Sequence, residues 1–290
     1  MKEKYNLRPN FQIGRTSWFG VGGAAEFFFK PQSEENLQNF LKENQEFALT
    51  ILGNTSNVII RDGGIDGVLI KLNSHFTKIS RKSETEIEVG AAILDKNFAI
   101  QVAEEGLSGF EFLSTIPGNL GGGVKMNCGC FGGEISDVFV SAKGFDFKGN
   151  PVFFTKKDMN FSYRESNVPD DVILTSVALK GAPSSKEKIL KIMSENQEKR
   201  NLSQPTGGKT CGSTFKNPLN AKSWELIQKS GASLFKVGGA YISPKHANFL
   251  MNDGNATSKD VENLGSMIQK AVFEKFGIRL EWEIKIIGKK

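Results

Sequence analysis

The segment of residues 114–134, STIPGNLGGGVKMNCGCFGGE, is the feature that most restricts how this chain can fold. It carries seven glycines and two cysteines in twenty-one residues, and glycine leaves the backbone freer than any other residue does. Such a segment forms a stable helix or strand in a core only when other contacts fix its backbone. Two explanations predict different proteins. Cys128 and Cys130 could bind a metal ion, or the glycines could let the main chain close on a ligand that carries phosphate.

The cysteine count argues against the metal ion. The chain has three cysteines and two histidines, so Cys211 brings the thiolates to at most three, and neither histidine has the spacing of a zinc finger. We therefore predict no metal site. An odd number of cysteines and a start without a secretory signal also argue against a disulfide framework, and they predict a cytoplasmic protein.

Length and composition indicate a folded protein with more than one domain. A chain of 290 residues exceeds the usual domain size of about 100 to 200 residues, and no apolar run approaches the roughly 18 residues of a membrane helix. We therefore expect no membrane association. The formal charge of +5 suits anionic ligands. Because the lysines and arginines are scattered and never form a block, we do not predict nucleic-acid binding.

Helical and strand patterns alternate in the first 182 residues. Ser33 is a favourable N-cap for one helix, and Gly106 is a favourable end for a second. This order predicts two lobes, about residues 1–70 and 71–182. The predicted strands are residues 26–30, 47–52, 58–60, 85–89, 138–147, 152–155 and 172–179.

The last hundred residues have patterns of their own. Alternating apolar residues predict a long strand over residues 278–287, directly after a helix that Gly277 ends. Gly181-Ala182-Pro183 is typical of a boundary, so we place the domain break after residue 182. The fold class is a mixed α+β fold. Two helices are predicted from capping boxes, one at Ser184 with Glu187 and one at Thr257 with Asp260.

Two familiar phosphate-binding motifs are present only in part. Residues 20–25, GVGGAA, fit a loose dinucleotide fingerprint, but that fingerprint precedes a helix, and here a predicted strand follows. Residues 208–210, GKT, end like a P-loop, yet Ser203 stands where the first glycine is required, and Pro205 interrupts the loop. We predict neither a Rossmann turn nor a nucleoside triphosphatase.

Glycine-rich stretches outside these motifs can still bind anions, because successive backbone N–H groups form concave sites. Each stretch alone is typical of a plain turn. Together, and with Ser56, Asn57 and Asn127 as hydrogen-bond donors, they indicate one large phosphate-bearing cofactor across the first two lobes. The three stretches are residues 20–23, 53–57 and 118–133.

Residues 212–218, GSTFKNP, place a hydroxyl, a cation and an amide in one short loop. On pattern alone the loop is typical of a solvated surface. Ser213 has no histidine near it in the sequence and no Gly-x-Ser-x-Gly turn around it, and His246 is its only candidate base, which disfavours a hydrolase. By the same standard, pattern alone predicts surface charge for residues 163–166, YRES, and for the strand face that carries Glu281 and Glu283.

Seven segments in this order resemble one family, the UDP-N-acetylenolpyruvoylglucosamine reductases (the MurB family). The resemblance runs from Thr16 to Gly288, and seven motifs in order are far more specific than any one of them. The segments are SWFGVGGAAE (17–26), LGNTSNVIIRD (52–62), GFEFLSTIPGNLGGGVKMNCGCFG (109–132), FSYRES (161–166), GSTFKNP (212–218), GGAYISPKHANFLMN (238–252) and FGIRLEWEIKIIG (276–288).

The resemblance implies a two-lobed FAD-binding domain of the vanillyl-alcohol-oxidase type over residues 1–182 and a substrate domain over residues 183–290. It implies a cytoplasmic bacterial enzyme of peptidoglycan precursor synthesis, in which NADPH reduces FAD and the flavin reduces UDP-N-acetylglucosamine enolpyruvate to UDP-N-acetylmuramate. No obligate protein partner is expected. The implied FAD contacts are Gly53, Asn54, Thr55, Ser56, Asn57, Ile116, Pro117, Gly118, Gly121, Gly122, Asn127 and Gly129.

Catalytic roles also follow from the resemblance. Arg164 matches the arginine that polarises the substrate carboxylate, Ser213 matches the proton donor, and Glu283 matches the carboxylate that stabilises or protonates the enol. Which of Ser213 and Glu283 delivers the proton stays open. Alternation puts Glu281 on the same strand face as Glu283, so only the resemblance selects the second glutamate. The implied substrate contacts are Tyr163, Lys216 and Asn217.

The chain departs from the family pattern at a few positions. Cys128 and Cys130 stand where alanines are common, and a small apolar thiol is a mild replacement. Asn119-Leu120 stands where Thr-Val is usual. Only about fifty residues separate Arg164 from Ser213, so the chain resembles the shorter type that lacks the tyrosine-bearing lid.

Two other functions compete with this one. A flavin oxidase or dehydrogenase on the same fold would act on another nucleotide sugar or alcohol and would need neither Arg164 nor Ser213. A basic nucleotide- or RNA-binding protein would use the glycine loops for phosphate alone. Base stacking on aromatic side chains often accompanies such binding, whereas the phenylalanines here fall mostly in apolar runs typical of a core.

Overall fold

The computed structural model describes residues 3–290, which divide into two compact units. Unit 1 comprises the residues up to Arg8, Phe28–Asn54 and Gly67–Arg200, and unit 2 comprises Pro9–Phe27, Thr55–Asp66 and Asn201–Lys290. The expected cofactor domain (1–182) and substrate domain (183–290) stay a prediction, because they concern which ligand each part binds. A four-stranded sheet has the order β1-β2-β5-β3 and consists of β1 (Arg8–Phe11), β2 (Ala25–Phe29), β3 (Leu49–Ile51) and β5 (Ile65–Ile70).

Unit 1 is built around an antiparallel sheet of order β12-β11-β13-β7-β6. Its core consists of buried apolar side chains from the strands and from the helices α3 and α4, with Phe98, Leu120 and Val177 fully buried. The strands are β6 (Ile79–Arg81), β7 (Glu86–Gly90), β11 (Phe139–Asp146), β12 (Pro151–Thr155) and β13 (Val172–Lys180); the helices are α3 (Asp95–Glu104), α4 (Leu120–Met126), α5 (Ile135–Val138) and α6 (Lys186–Ser203).

Short elements complete unit 1. Strand β8 (Leu107–Ser108) pairs with β14 (Ala182–Pro183), and β9 (Gly129–Cys130) pairs with β10 (Gly133–Glu134). Two 3₁₀ turns cover Ser74–Phe76 and Glu111–Thr115. Helix α2 (Glu34–Glu43) begins as predicted, because the Oγ of Ser33 accepts the Asn36 N–H at 3.0 Å.

Unit 2 is organised by α8 (Ser258–Phe276), whose predicted caps are confirmed. Thr257 and Asp260 form the capping box, and Gly277, at φ 68°, donates its N–H to the Phe273 carbonyl. The buried stripe of α8 includes Val261, Leu264 and Ile268. The other elements are α1 (Ile13–Thr16), α7 (Ser223–Lys229), a 3₁₀ turn (Ala232–Leu234), the sheet of β15 (Lys236–Val237), β16 (Ala240–Ile242) and β17 (Leu250–Asn252), and the parallel pair β4 (Val58–Ile60) and β18 (Lys285–Ile287).

Two expectations about local structure are wrong. The predicted strand over residues 278–287 is regular only at Lys285–Ile287, because β4 offers just three residues for pairing. The burial alternation persists without a ladder, with Leu280 and Ile284 buried. Helix α6 is capped by Ser185, whose Oγ accepts the Lys188 N–H at 3.3 Å, and not by Ser184.

Neither partial phosphate motif has the required context. Residues 20–24 are irregular and lead into β2, and no helix begins within a dozen residues after Lys209. Among residues 3–290, no helix combines the length and the apolar character that crossing a membrane requires.

Candidate functional site

The glycine-rich segment of unit 1 is held against the connection between β7 and α3. Asp95 N–H donates to the Gly118 carbonyl at 3.1 Å, and Gly121 N–H donates to the Ala91 carbonyl at 2.8 Å. A Cβ added at Gly121 would come within 3.0 Å of the Ala91 Cβ. Glycine at this position therefore allows the two backbones to run in direct contact.

A cavity of about 110 Å³ opens beside this segment. The predicted cofactor contacts Gly53, Gly121 and Gly122 line it together with apolar side chains such as Leu72 and Val172. A Cβ added at Gly122 would meet no atom within 4 Å. The cavity therefore presents bare backbone to a ligand. Three further predicted contacts, Ile116, Pro117 and Gly118, are half-buried just before α4.

Arg164 lies in a tight turn of unit 1. Ser162 and Glu165 exchange backbone hydrogen bonds of 3.1 and 3.2 Å around Tyr163 and Arg164. Arg164 adopts a left-handed φ of 59°, and its guanidinium lies 5.0 Å from the centre of the Tyr163 ring. One guanidinium nitrogen donates to the Gly129 carbonyl at 2.6 Å. The structure thus brings a predicted catalytic residue together with a predicted cofactor contact.

A buried carboxyl group in unit 1 was not predicted from the sequence. Asp95 is 1% exposed, and neither of its carboxyl oxygens has a hydrogen-bond partner within the described part of the chain. Burial raises the pKa of Asp95 to about 8. Its place at the first turn of a helix, where acidic residues are ordinary, gave no signal that it would be buried.

Cys128 and Cys211 are packed as small buried side chains, and Cys130 is half-buried. Burial raises the pKa of Cys128 well above its ordinary value and that of Cys211 to about 12. Cys130 donates to the Phe112 carbonyl at 3.2 Å. Within residues 3–290, no three histidine, cysteine or acidic side chains are grouped in a way that could hold a metal ion.

The serine loop of unit 2 runs between two other segments. Ser213 is bridged to Phe249, and Phe215 is bridged to Trp282. Thr214, fully buried between them, accepts the Glu283 N–H on its carbonyl at 2.9 Å. Ser213 and Glu283 therefore lie on adjacent segments of unit 2, although seventy residues separate them in the sequence.

The loop of residues 55–57 also meets Glu283 in unit 2. Asn57 donates its side-chain N–H to the Glu283 carbonyl at 3.0 Å, and Thr55 accepts the Trp18 N–H on its Oγ1 at 3.3 Å. Glu283 is half-buried, whereas Glu281 is exposed. Of the predicted contacts in the loop of residues 53–57, Gly53 and Asn54 belong to unit 1, and Thr55, Ser56 and Asn57 belong to unit 2.

The two predicted substrate contacts in unit 2 help to fix the serine loop. Lys216 N–H donates to the Glu281 carbonyl at 2.8 Å. The side-chain oxygen of Asn217 accepts the N–H of Ser223, the first residue of α7, at 3.0 Å. Both side chains are half-buried.

A larger cavity in unit 2, of about 1000 Å³, was missed from the sequence. Its lining combines cationic and aromatic side chains, among them Trp224, Lys236, Tyr241, Lys245 and His246. Burial lowers the pKa of His246, and its Nδ1 accepts the Asn248 N–H at 3.2 Å, which leaves Nε2 as the protonated nitrogen. These residues follow no helical or strand period, so pattern analysis had no means of grouping them.

Comparison with known proteins gives matches in both halves of the chain. The model of the UDP-N-acetylenolpyruvoylglucosamine reductase C-terminal domain matches residues 204–287, and the model of an FAD binding domain matches residues 25–153.

Curated relatives match along nearly the whole chain. The UDP-N-acetylenolpyruvoylglucosamine reductase of Rickettsia akari (strain Hartford) is 45% identical over 287 residues, covering 99% of this chain and 97% of the relative. That of Rickettsia typhi is 44% identical with the same coverage. The crystal structure of the Thermus caldophilus reductase (MurB) superposes with a TM-score of 0.85 at 33% identity, covering 97% of this chain and 100% of the other.

Proposed function

Since this chain belongs to the UDP-N-acetylenolpyruvoylglucosamine reductase family, we propose that it reduces UDP-N-acetylglucosamine enolpyruvate to UDP-N-acetylmuramate, with FAD as its cofactor and NADPH as its electron donor. The reaction belongs to peptidoglycan precursor synthesis. Identity of 45% over 287 residues is the observation that carries the proposal. We further propose that the protein works in the bacterial cytoplasm, where NADPH is available, and that it needs no protein partner.

The residues around the smaller cavity fit one part of FAD, since about 110 Å³ is too small for the whole cofactor. Gly53, Gly121 and Gly122 expose backbone to it, and a Cβ at Gly122 would extend into open space. Backbone without side chains lets a diphosphate approach closely, and the apolar walls suit an aromatic base. We propose that the contacts of unit 1 named from the resemblance hold this part of the cofactor, with Gly129 beside Arg164. Asn127, whose side-chain amide is fully bonded within the protein, is not one of them.

Bound FAD would supply the hydride transfer between NADPH and the enolpyruvyl group. We propose that Arg164 binds the substrate carboxylate through its planar fork and holds the negative charge that develops there. Ser213 donates its hydroxyl proton to the carbon beside that carboxylate, and Glu283 stabilises the enol; the alternative is that Glu283 donates this proton in place of Ser213. The half-burial of Glu283 against the exposure of Glu281 supports the choice of the second glutamate.

We propose the larger cavity of unit 2 for the uridine diphosphate part of the substrate. Lys245 supplies positive charge, Lys236 supplies a second charge that is paired with Asp253 at 3.3 Å, and Trp224 and Tyr241 supply flat apolar surface. Together these groups suit a nucleoside diphosphate. The loop that carries Lys245 and His246 also leads to Phe249, the bridge partner of Ser213.

An anaerobic visible spectrum tests the proposal. The purified protein should show a flavin spectrum that bleaches when NADPH is added and returns when UDP-N-acetylglucosamine enolpyruvate follows. Bleaching without recovery would keep the flavoenzyme and refute this acceptor. A colourless protein to which FAD cannot be restored would refute the cofactor as well.

A further inference from the structure

Asn127 uses its whole side-chain amide within unit 1. It is fully buried. Its Nδ2 donates to Glu134 Oε1 at 3.0 Å and to the Ser162 carbonyl at 2.9 Å, and its Oδ1 accepts the Ser136 N–H at 2.9 Å. The two acceptors and the one donor fix the orientation of the amide. The side chain is therefore fully engaged by protein groups.

One of these partners, Ser162, is the first residue of the turn that carries Arg164. The Ser162 carbonyl accepts the Glu165 N–H, which closes the turn, and it also accepts the Asn127 side chain. A carbonyl oxygen has two lone pairs, and both are used here. Asn127 therefore binds the turn at Ser162, the residue whose carbonyl accepts the hydrogen bond that closes the turn.

The other anchor of the turn comes from the same short segment. The tip of Arg164 is bound by the carbonyl of Gly129, two residues after Asn127. Asn127 has a left-handed φ of 44°, which turns the chain out of α4 and into β9. Residues 127–129 therefore hold Arg164 in two places. The Gly129 carbonyl binds its guanidinium, and Asn127 binds the Ser162 carbonyl at the base of its turn.

We propose that Asn127 is a positioning residue for Arg164. The proposal rests on the proposed function. Asn127 sets the position at which the guanidinium of Arg164 meets the substrate carboxylate. It therefore affects the reduction of the enolpyruvyl group and not the reduction of the flavin by NADPH. A displacement of about 1 Å in a catalytic group can cost about 100-fold in rate.

The test compares Asn127→Gly and Asn127→Asp holoenzymes with the wild type. Glycine tolerates the left-handed backbone, so Asn127→Gly removes the amide without new strain. Asn127→Asp keeps an acceptor for the Ser136 N–H and loses both donors. The matched control is Asn44→Ala, since Asn44 is also fully buried in unit 1 and donates to the Phe40 carbonyl at 2.7 Å, far from Arg164 in the sequence.

Single-turnover kinetics supply the first readout. Both Asn127 variants should slow the reoxidation of reduced enzyme by the enolpyruvyl substrate about 10- to 100-fold, and should leave reduction by NADPH within about twofold. In an Arg164→Leu background the added Asn127→Gly change should slow reoxidation less than about twofold, because the residue through which it acts is gone. Asn44→Ala should leave both half-reactions unchanged.

Hydrogen exchange supplies a readout that does not depend on the substrate. The Glu165 amide should exchange faster in Asn127→Gly than in the wild type and in Asn44→Ala. Unchanged exchange at Glu165, equal slowing of both half-reactions, or full additivity with Arg164→Leu would each overturn the proposal. If the Glu165 amide exchanges faster but the enolpyruvyl substrate cannot reoxidise the reduced wild-type enzyme, the proposed function is refuted instead. The contact of Asn127 with the turn would then have no catalytic role.

Discussion

The guanidinium of Arg164 donates a hydrogen bond of 2.6 Å to the carbonyl oxygen of Gly129. Arg164 makes this contact from a left-handed backbone conformation, at φ 59°, which costs roughly 1 to 2 kcal/mol for a residue with a Cβ. Asparagine or glycine would occupy such a turn position at lower cost. A strained arginine held by a glycine-rich segment is the type of local conflict that functional sites retain.

Arg164→Lys should retain FAD and lose turnover. Lysine keeps the charge but lacks the planar fork, so reoxidation of the reduced enzyme by the enolpyruvyl substrate should fall about 100- to 1000-fold. Stopped-flow absorbance of the flavin measures this rate of reoxidation. Arg81→Lys is the control, because Arg81 also donates to backbone carbonyls, at Ser83 and Glu84, on an exposed surface. Equal rates in the two variants would contradict a catalytic role for Arg164.

Ser213→Ala should leave the reduction of the flavin by NADPH unchanged and stall the reaction with the enolpyruvyl substrate. The loss removes a proton donor and leaves the loop in place, because Thr214 fixes the loop through its backbone. Rapid-mixing spectra separate the two half-reactions. Ser230→Ala, which loses a bond to the Ile227 carbonyl at 2.8 Å, serves as the control. Normal turnover would remove Ser213 from the mechanism, and loss of flavin would make it structural.

Glu283→Gln and Glu281→Gln form a matched pair. Both replace a glutamate by its isosteric amide, two positions apart on the same segment. Glu283→Gln should lower kcat by about 100-fold or more, since it removes an acid–base group, whereas Glu281→Gln, at an exposed position, should stay within about twofold of the wild type. Steady-state assays decide between them. The reverse ranking would move the catalytic carboxylate to Glu281.

Asp95 should make the stability of the protein depend on pH. Burial raises its pKa from 3.8 to about 8, so the folded state binds a proton there that the unfolded state has lost. The contribution of protonated Asp95 to the free energy of unfolding is therefore complete below about pH 4. It declines by an amount on the order of 5 kcal/mol as the pH rises to about 8. Asp95→Asn should abolish this decline.

Urea unfolding of wild type and Asp95→Asn between pH 4 and pH 8 measures the effect as a difference between the two proteins. The variant should gain stability relative to the wild type as the pH rises. Asp171→Asn, at an exposed position of the same unit, should follow the wild type throughout. A constant difference between Asp95→Asn and the wild type would show that Asp95 is ionised, or has a polar partner, in the folded protein.

Several structural features were predictable because their signals are local. Ser33 caps α2 and Gly277 ends α8 through bonds to residues three or four positions away, and such contacts form wherever those residue types recur at that spacing. The buried stripe of α8 follows in the same way from the helical period. The candidate site residues Arg164, Ser213 and Glu283 were named in a different way, from ordered motifs by family resemblance, and their roles stay predictions.

Tertiary structure decided what depends on partners distant in the chain. The residues 278–287 alternate as a strand should, yet only three of them pair in a ladder, because β4 is short, and Trp282 forms just an isolated bridge to Phe215. Asp95 stands in a sequence context typical of an exposed helix start, and its burial comes from the segments that pack over it.

By itself, the sequence determined the caps of α2 and α8, the helical stripes, the α+β class and the family. Only the tertiary structure joined Asn127 to the Ser162 carbonyl across 35 residues and Asn57 to the Glu283 carbonyl across 226. The physical reason is that caps and periods arise between neighbours along the chain, whereas burial and long-range hydrogen bonds exist only once distant segments have packed together.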